Sequence, residues 1–189
     1  MYRSSLDGSL RAPPSKSYTH RALFCSALAQ GESTLKSPLL CDDTKATSEA
    51  LSKIGVTTKW NREITRVFRS GEFRKSPSAI FCGESATTLR FMTAICATTP
   101  HGTSLSGGPS LLKRPVKDLE VALRELGAHC ESDHGHAPVH VRGPIKGGSV
   151  EIPGNVSSQY VSALLLATPL AETPVEVGIS GRLESKSYV

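Results

Sequence analysis

Three clusters of hydroxyl and basic side chains recur along this chain, and each opens a small or apolar stretch. They are Ser15-Lys16-Ser17-Tyr18-Thr19-His20-Arg21 into Ala22-Leu23-Phe24-Cys25; Ser85-Ala86-Thr87-Thr88 into Leu89-Arg90-Phe91-Met92; and Ser157-Ser158-Gln159-Tyr160 into Val161-Ser162-Ala163-Leu164. Their first serines lie 70 and then 72 residues apart. A helix that starts this way offers unpaired backbone N–H groups, hydroxyl caps and the positive end of its dipole, which together suit an anion. Serine is also the ordinary N-cap, and for a single helix a cap alone is the simpler reading. Three at a fixed period, with Lys16, Arg21, Arg90 and Arg114 nearby, favour an anion site assembled from helix starts.

The elements that must carry these clusters repeat as well. Each cluster is followed by a short strand-like stretch: Thr34-Leu35-Lys36, Thr103-Ser104-Leu105 and Pro174-Val175-Glu176-Val177. A second kind of helix follows twice, Asp42 to Ile54 and Arg114 to Leu126, closed by Gly55 and Gly127. Val116, Leu119, Leu123 and Leu126 form one stripe at helical spacing, as Ala50, Leu51 and Ile54 do more weakly, so these helices lie outside. Ala22 to Ala29, Leu89 to Ala97 and Val161 to Ala167 are small or apolar almost all round, which predicts burial. Ala79-Ile80-Phe81-Cys82 and Ser149-Val150-Glu151-Ile152 read as strands. The expected fold is α/β (α+β): repeated βαβαββ units packed as an inside-out α/β barrel, helices central and sheets outside. Residues 1–189 form a single lobe, with units at about 10–75, 76–147 and 148–189. Ser180 to Tyr188 stands where the third unit's outer helix should begin, so on repeat logic the lobe is incomplete.

Composition narrows the ligand classes. The 189 residues carry a formal charge of +5, 38% hydrophobic and 21% charged residues, which argues against disorder and for anionic ligands. Dispersed basic residues, 5% aromatics and no zinc-finger or helix-turn-helix spacing argue against nucleic acid. The longest near-apolar run, Val161 to Ala171, is about half a membrane span and is broken by Ser162, Thr168 and Pro169. Met1-Tyr2-Arg3-Ser4-Ser5 leads into no apolar core of a signal peptide, and five irregularly spaced cysteines make no disulfide framework. A reducing, cytoplasmic compartment is the expectation, with an organelle left open after loss of a transit peptide. Cys130, His134, His136 and His140 have tempting spacing, but Glu131 to Pro138 reads as a hairpin tip between two short strands and no pair of ligands is fixed on a helix, so no metal is expected. Asp42-Asp43 is expected to cap the outer helix, and Cys25 and Cys96 to pack inertly inside.

Taken in order, Pro14 to Arg21, Cys41-Asp42-Asp43-Thr44, Gly83 to Arg90, Lys113-Arg114-Pro115 and Ser157-Ser158-Gln159-Tyr160 resemble the signature of the 5-enolpyruvylshikimate-3-phosphate synthase family, from about residue 10 onward. The related UDP-N-acetylglucosamine enolpyruvyl transferases share the fold but not Ser-Lys-Ser with Ser-Ser-Gln. The resemblance implies transfer of the enolpyruvyl group of phosphoenolpyruvate to the 5-hydroxyl of shikimate 3-phosphate, with release of phosphate and no cofactor. It implies two similar lobes closing over both substrates, this chain being the half that mainly holds shikimate 3-phosphate. By position, Lys16 matches the lysine that touches both substrates and takes part in proton transfer. Ser17, Arg21, Ser157, Ser158, Ser185 and Tyr188 match shikimate 3-phosphate ligands, Gln159 a residue at the junction, and Arg114 a clamp on phosphoenolpyruvate. The carboxylates and arginines of the opposite lobe are absent here, which implies no turnover by this chain alone. A non-catalytic anion-binding module, or a nucleic-acid-binding relative resembling the RNA-processing cyclases, are the alternatives.

Two positions depart from the commonest pattern of that family: Glu84 stands where many members carry Asn, and Ala86 where most carry Gly. Ala86 falls at the first turn of the second buried helix, beside phosphoenolpyruvate. A methyl there narrows the space for the longer inhibitor glyphosate, which implies tolerance of it.

Overall fold

Alternating strands and helices of the computed structural model, which describes residues 7–61 and 63–189, build three small sheets around a helical centre. Residues 1–5, read above as lacking a leader's apolar core, lie outside the described residues. The first unit contains α1 (Lys16–Leu28), β1 (Gly31–Lys36), α2 (Asp42–Lys53) and the hairpin β2 (Thr57–Trp60) and β3 (Ile64–Arg69). Its sheet order is β1-β3-β2, antiparallel throughout. The second unit runs β4 (Ile80–Phe81), α3 (Ala86–Cys96), β5 (Thr103–Ser106), α4 (Lys117–Glu125), β6 (His129–Asp133), β7 (His136–Arg142). Here the order is β4-β5-β7-β6, with β4 parallel to β5. The third unit has β8 (Gly148–Pro153), α5 (Ser158–Ala167) and β9 (Val175–Ser180), the two strands parallel. This is the α/β arrangement that the periodicity predicts, although among the described residues only the second unit shows the full βαβαββ order: the first opens directly with α1, and the third ends after β9.

Burial follows the two helix types. Every residue of α3 after Ala86 is buried, and α3 packs against α5 and, through an edge-to-face contact of Phe91 with Phe24 at 5.2 Å, against α1. Outer helix α4 is one-sided: Val116, Leu119, Leu123 and Leu126 all have zero exposure, while Lys117, Arg124 and Glu125 face water. Gly55 and Gly127, at φ +96° and +91°, end α2 and α4 in the left-handed region that glycine enters without penalty. His134 and Gly135 also have positive φ and form a two-residue turn between β6 and β7, inside the hairpin tip expected over residues 131–138.

The differences from expectation have local causes. Cys25 is exposed rather than buried, because α1 turns Tyr18, Cys25 and Ala29 outward while His20, Leu23, Phe24 and Ala27 face the core. Leu165 likewise leaves α5 on an open side. The second outer helix begins at Lys117, not Arg114: Pro115 disfavours helical geometry for the residue before it, and Arg114 is extended at φ −87°, ψ 130°. The β2–β3 hairpin has no clear sequence signature because β3 buries Thr65 and Arg69 beside Val67. The Arg69 guanidinium donates to the carbonyls of Ala27, Leu28 and Gly71, so a cation closes the C-terminal end of α1.

The face of α5 that meets the core is directly testable. Leu164 is fully buried and Leu165 is 47% exposed, so Leu164→Ala should cost about 2–5 kcal/mol in urea unfolding and Leu165→Ala about 1 or less.

Candidate functional site

All three serines that open the buried helices are caps. Ser15 accepts from the Tyr18 amide at 3.3 Å, Ser85 from Thr88 at 3.2 Å and Ser157 from Gln159 at 3.2 Å. Capping and assembly of a site are compatible, since each cap leaves other N–H groups of its first turn free. The starts of α1 and α5 converge on a cavity of about 230 Å³ lined by Ser17, Arg21, Val156, Ser157, Ser158, Gln159, Glu184, Ser185 and Tyr188. Seven of these are residues singled out in the sequence, drawn from positions 17 to 188. Val156 and Glu184 were not, and Glu184 adds a carboxylate to an otherwise neutral and cationic lining.

Arg21 is the cation of this cavity. Its Nε and Nη2 donate to the Ser162 hydroxyl at 3.2 and 2.7 Å, and its Nη1 to the Ser17 carbonyl at 3.1 Å. The guanidinium carbon stands 5.4 Å from the Phe91 ring centre and 5.5 Å from that of Tyr188. Burial lowers its pKa from the usual value, yet a guanidinium stays charged at neutral pH. The short 3-10 turn Lys186–Tyr188 closes the cavity against α1: Tyr18 donates its hydroxyl to the Ser187 carbonyl at 2.9 Å and meets the Tyr188 ring edge-on at 5.2 Å.

Lys16, Ala86 and Arg114 are not among the residues lining that cavity. Lys16 turns to Asp43, with Nζ to Oδ2 at 2.6 Å. The acidic pair is therefore not the cap of α2: Cys41 holds that position, with its amide donating to Thr44 Oγ1, and Asp42 and Asp43 are the first two helical residues. An ion pair this exposed adds little stability, so its consequence is the placement of the ammonium. Ala86 begins α3, half-buried. Arg114 is exposed after the 3-10 turn Leu111–Lys113, and Glu84 pins that turn. The Glu84 carboxylate accepts from the Ser110 amide, the Ser110 hydroxyl and the Leu111 amide at 3.0, 2.6 and 2.9 Å. The Ser110 hydroxyl and these amides hold the carboxyl below its ordinary range.

Arg90 joins the pieces. It is 7% exposed and donates to Ser157 Oγ at 3.3 Å, Gln159 Oε1 at 2.7 Å, the Pro115 carbonyl at 2.8 Å and Tyr160 Oη at 3.3 Å. Its guanidinium carbon lies 4.5 Å from the Tyr160 ring centre. One side chain of α3 thus fixes the start of α5 and the backbone next to Arg114.

Comparison with known proteins gives this geometry a family. The sequence profile described as EPSP synthase (3-phosphoshikimate 1-carboxyvinyltransferase) matches residues 2–189. The chain belongs to the EPSP synthase family. Proteins named 3-phosphoshikimate 1-carboxyvinyltransferase from Methanothermobacter thermautotrophicus and Methanosarcina mazei are 41% and 44% identical over 98% and 99% of this chain, which covers 44% of each. A solved EPSP synthase from Acinetobacter baumannii superposes with a TM-score of 0.86 at 26% identity, over 94% of this chain and 41% of that one. The chain therefore spans less than half the length of the relatives it matches.

Sequence reading placed Arg90 only among nearby cations and assigned Asp43 to a cap. For Arg90, an available signal was a lone cation inside an otherwise apolar helical run, a pattern that calls for buried partners. No sequence signal pairs Lys16 with Asp43 across 27 residues. Among the described residues, no group of three or more His, Cys, Asp or Glu side chains is placed to hold a metal.

One buried titratable group sits directly behind these helix starts. Burial pushes the His20 imidazole down from 6.5 to about 4; Asp43 raises it, and Lys16 and Arg21 lower it further. The unfolded chain then binds the extra proton between those values, so stability falls as pH drops from about 6.5 to about 4. The full contribution is on the order of 3 kcal/mol. Urea midpoints at pH 7 and pH 5 should separate more for the unaltered chain than for His20→Asn.

Proposed function

We propose that this chain is the shikimate 3-phosphate-binding lobe of an EPSP synthase, acting with a complementary C-terminal lobe on shikimate 3-phosphate and phosphoenolpyruvate. The observation that carries this reading is the cavity between α1, α5 and the Lys186–Tyr188 turn, which collects Ser17, Arg21, Ser157, Ser158, Gln159, Ser185 and Tyr188. Its volume suits one small molecule, and its chemistry suits a phosphorylated hydroxy acid. Serine hydroxyls and first-turn amides receive phosphate oxygens, the Arg21 fork receives a carboxylate, and Gln159 supplies both a donor and an acceptor. The lobe comprises three repeat units, the third represented here by β8, α5 and β9, and the compartment is cytoplasmic. Among the described residues no helix is long and apolar enough to cross a membrane, and neither a membrane nor a nucleic acid is proposed as a partner.

In the proposed reaction the 5-hydroxyl of shikimate 3-phosphate gives up its proton to a base and its oxygen bonds to C2 of phosphoenolpyruvate, while C3 takes up a proton from an acid. The tetrahedral intermediate then expels phosphate and loses a C3 proton to restore the enol ether. No electrons are exchanged and no cofactor is consumed. Lys16 is placed to neutralise charge shared by the two substrates and to exchange a proton, and Asp43 holds it beside α2 until they arrive. Arg114, whose guanidinium has no hydrogen-bond partner among the described residues and which is set beside α3 by Glu84 and Arg90, is the proposed clamp on phosphoenolpyruvate. The remaining acid–base groups belong to the opposite lobe, so this chain binds without turnover.

Calorimetric titration with shikimate 3-phosphate tests the reading: the unaltered chain should bind at one site, and Arg21→Ala should weaken binding about 10- to 100-fold. Arg21→Lys should fall between them, because an ammonium keeps the charge and loses the fork. Undiminished binding by Arg21→Ala, or equal binding of single-stranded nucleic acid, would refute it. The Ala86 methyl is the proposed basis of glyphosate tolerance. In a protein carrying both lobes, Ala86→Gly should lower the glyphosate inhibition constant at least about tenfold, with a smaller change in the KM for phosphoenolpyruvate.

A further inference from the structure

Behind the starts of α1, α2 and α3 runs a line of buried polar side chains, none of which lines the cavity described above. His20 is 1% exposed, and its Nδ1 lies 2.7 Å from Thr47 Oγ1. Thr47 Oγ1 lies 2.7 Å from Thr88 Oγ1, and Thr88 donates to Ser85 Oγ at 2.8 Å. Thr47 and Thr88 have zero exposure and Ser85 has 2%. His20 Nε2 is buried with no hydrogen-bond partner among the described residues.

We propose that His20 is a positioning residue, heading a one-way hydrogen-bond chain through Thr47 and Thr88 to Ser85 that holds Lys16 and Asp43 in place. Proton counting sets the direction. Each threonine has one hydroxyl proton, and Thr88 commits its own to Ser85. The 2.7 Å Thr47–Thr88 contact is shorter than the 3.2 Å reach of the Thr47 hydroxyl to the Asp43 carbonyl, so it takes the Thr47 proton, and the contact with His20 needs a proton on Nδ1. The unpartnered Nε2 requires the same tautomer. With the proton on Nδ1, the unpartnered Nε2 carries only a lone pair, whereas the other tautomer would bury an N–H with no acceptor among the described residues.

The chain reaches the anion site through backbone. Thr47 and Thr88 both approach the Asp43 carbonyl, at 3.2 and 3.5 Å, and the Asp43 carboxylate holds Lys16 Nζ. Lys16 is one helical turn before His20 on α1, so α1 and α2 are joined twice: by the exposed ion pair and by His20–Thr47. The buried link is the one that water and salt cannot exchange. Ser85 at the far end is the cap of α3 and precedes Ala86, so the same chain sets where the third helix starts.

The tautomer is read without ligand. Long-range 1H–15N correlation on the labelled chain should give the Nδ1–H pattern for His20, and Thr47→Val should convert it to Nε2–H. An Nε2–H imidazole in the unaltered chain, or an unchanged tautomer in Thr47→Val, overturns the proposal. The positioning effect is read with two replacements. The Asn amide nitrogen can take the place of Nδ1–H, so His20→Asn should keep the NOE between Lys16 Hε and Asp43 Hβ, and His20→Leu should lose it. The last arm rests on the function proposed above: shikimate 3-phosphate affinity should stay within about threefold in His20→Asn and weaken at least about tenfold in His20→Leu at equal helix content. Equal affinities and equal NOEs in the two variants overturn the proposal. Failure of the unaltered chain to bind shikimate 3-phosphate overturns the functional reading instead, and the tautomer and NOE results still decide the role of His20.

Discussion

A helix surrounded by protein has to settle its polar groups without water, and α3 is in that position along almost its whole length. Its inner turns settle theirs through the helical ladder, and its first turn cannot. Ser85 supplies an acceptor for one amide of that turn, and the polar side chains that α3 carries inward, Thr88 and Arg90, settle theirs on neighbouring elements. Ser85 caps α3 itself, Thr88 bonds Thr47 on α2, and Arg90 bonds the start of α5 and the Pro115 carbonyl. The polar requirement of one buried helix thereby ties the other helix starts to a common end of the molecule.

The proposed anion site follows from that arrangement. Because α1 and α5 begin at the same end, Ser17 and Arg21 face Ser157 to Gln159 across one cavity, although about 140 residues separate them. The formal charge of +5 is spread along the chain, but the part that matters is local: Arg21 in the cavity, Lys16 against Asp43, and Arg114 beside α3. Such charges near helix N-termini draw a small multiply charged acid more strongly than net charge alone does. The exposed Lys16–Asp43 pair contributes little to stability, while the buried Arg90 and His20 contacts hold the geometry.

Legibility in the sequence tracked apolar periodicity. The stripe Val116, Leu119, Leu123 and Leu126 marked α4 as an outer helix, and the small or apolar run from Leu89, broken by Arg90 and Thr93, marked α3 as a central one. Where polar residues point inward the pattern is hidden: β3 buries Thr65 and Arg69, and the β2–β3 hairpin had no clear signature. Where an apolar run meets an open side the pattern overstates burial, as at Cys25 and Leu165. Proline decided a boundary that periodicity missed, moving the start of α4 past Arg114.

By itself the sequence determined the period of 70 to 72 residues, the serine caps, the helix types and the family-like motifs, because all of these are local patterns of residue type. Only the tertiary structure decided which of those motifs meet. It brought the residues from Ser17 to Tyr188 into one cavity, turned Lys16 to Asp43 and made Arg90 the joint between α3 and α5. The reason is physical: a cap or a stripe depends on neighbours three or four positions away, whereas a pairing of charges across a fold depends on how whole helices pack.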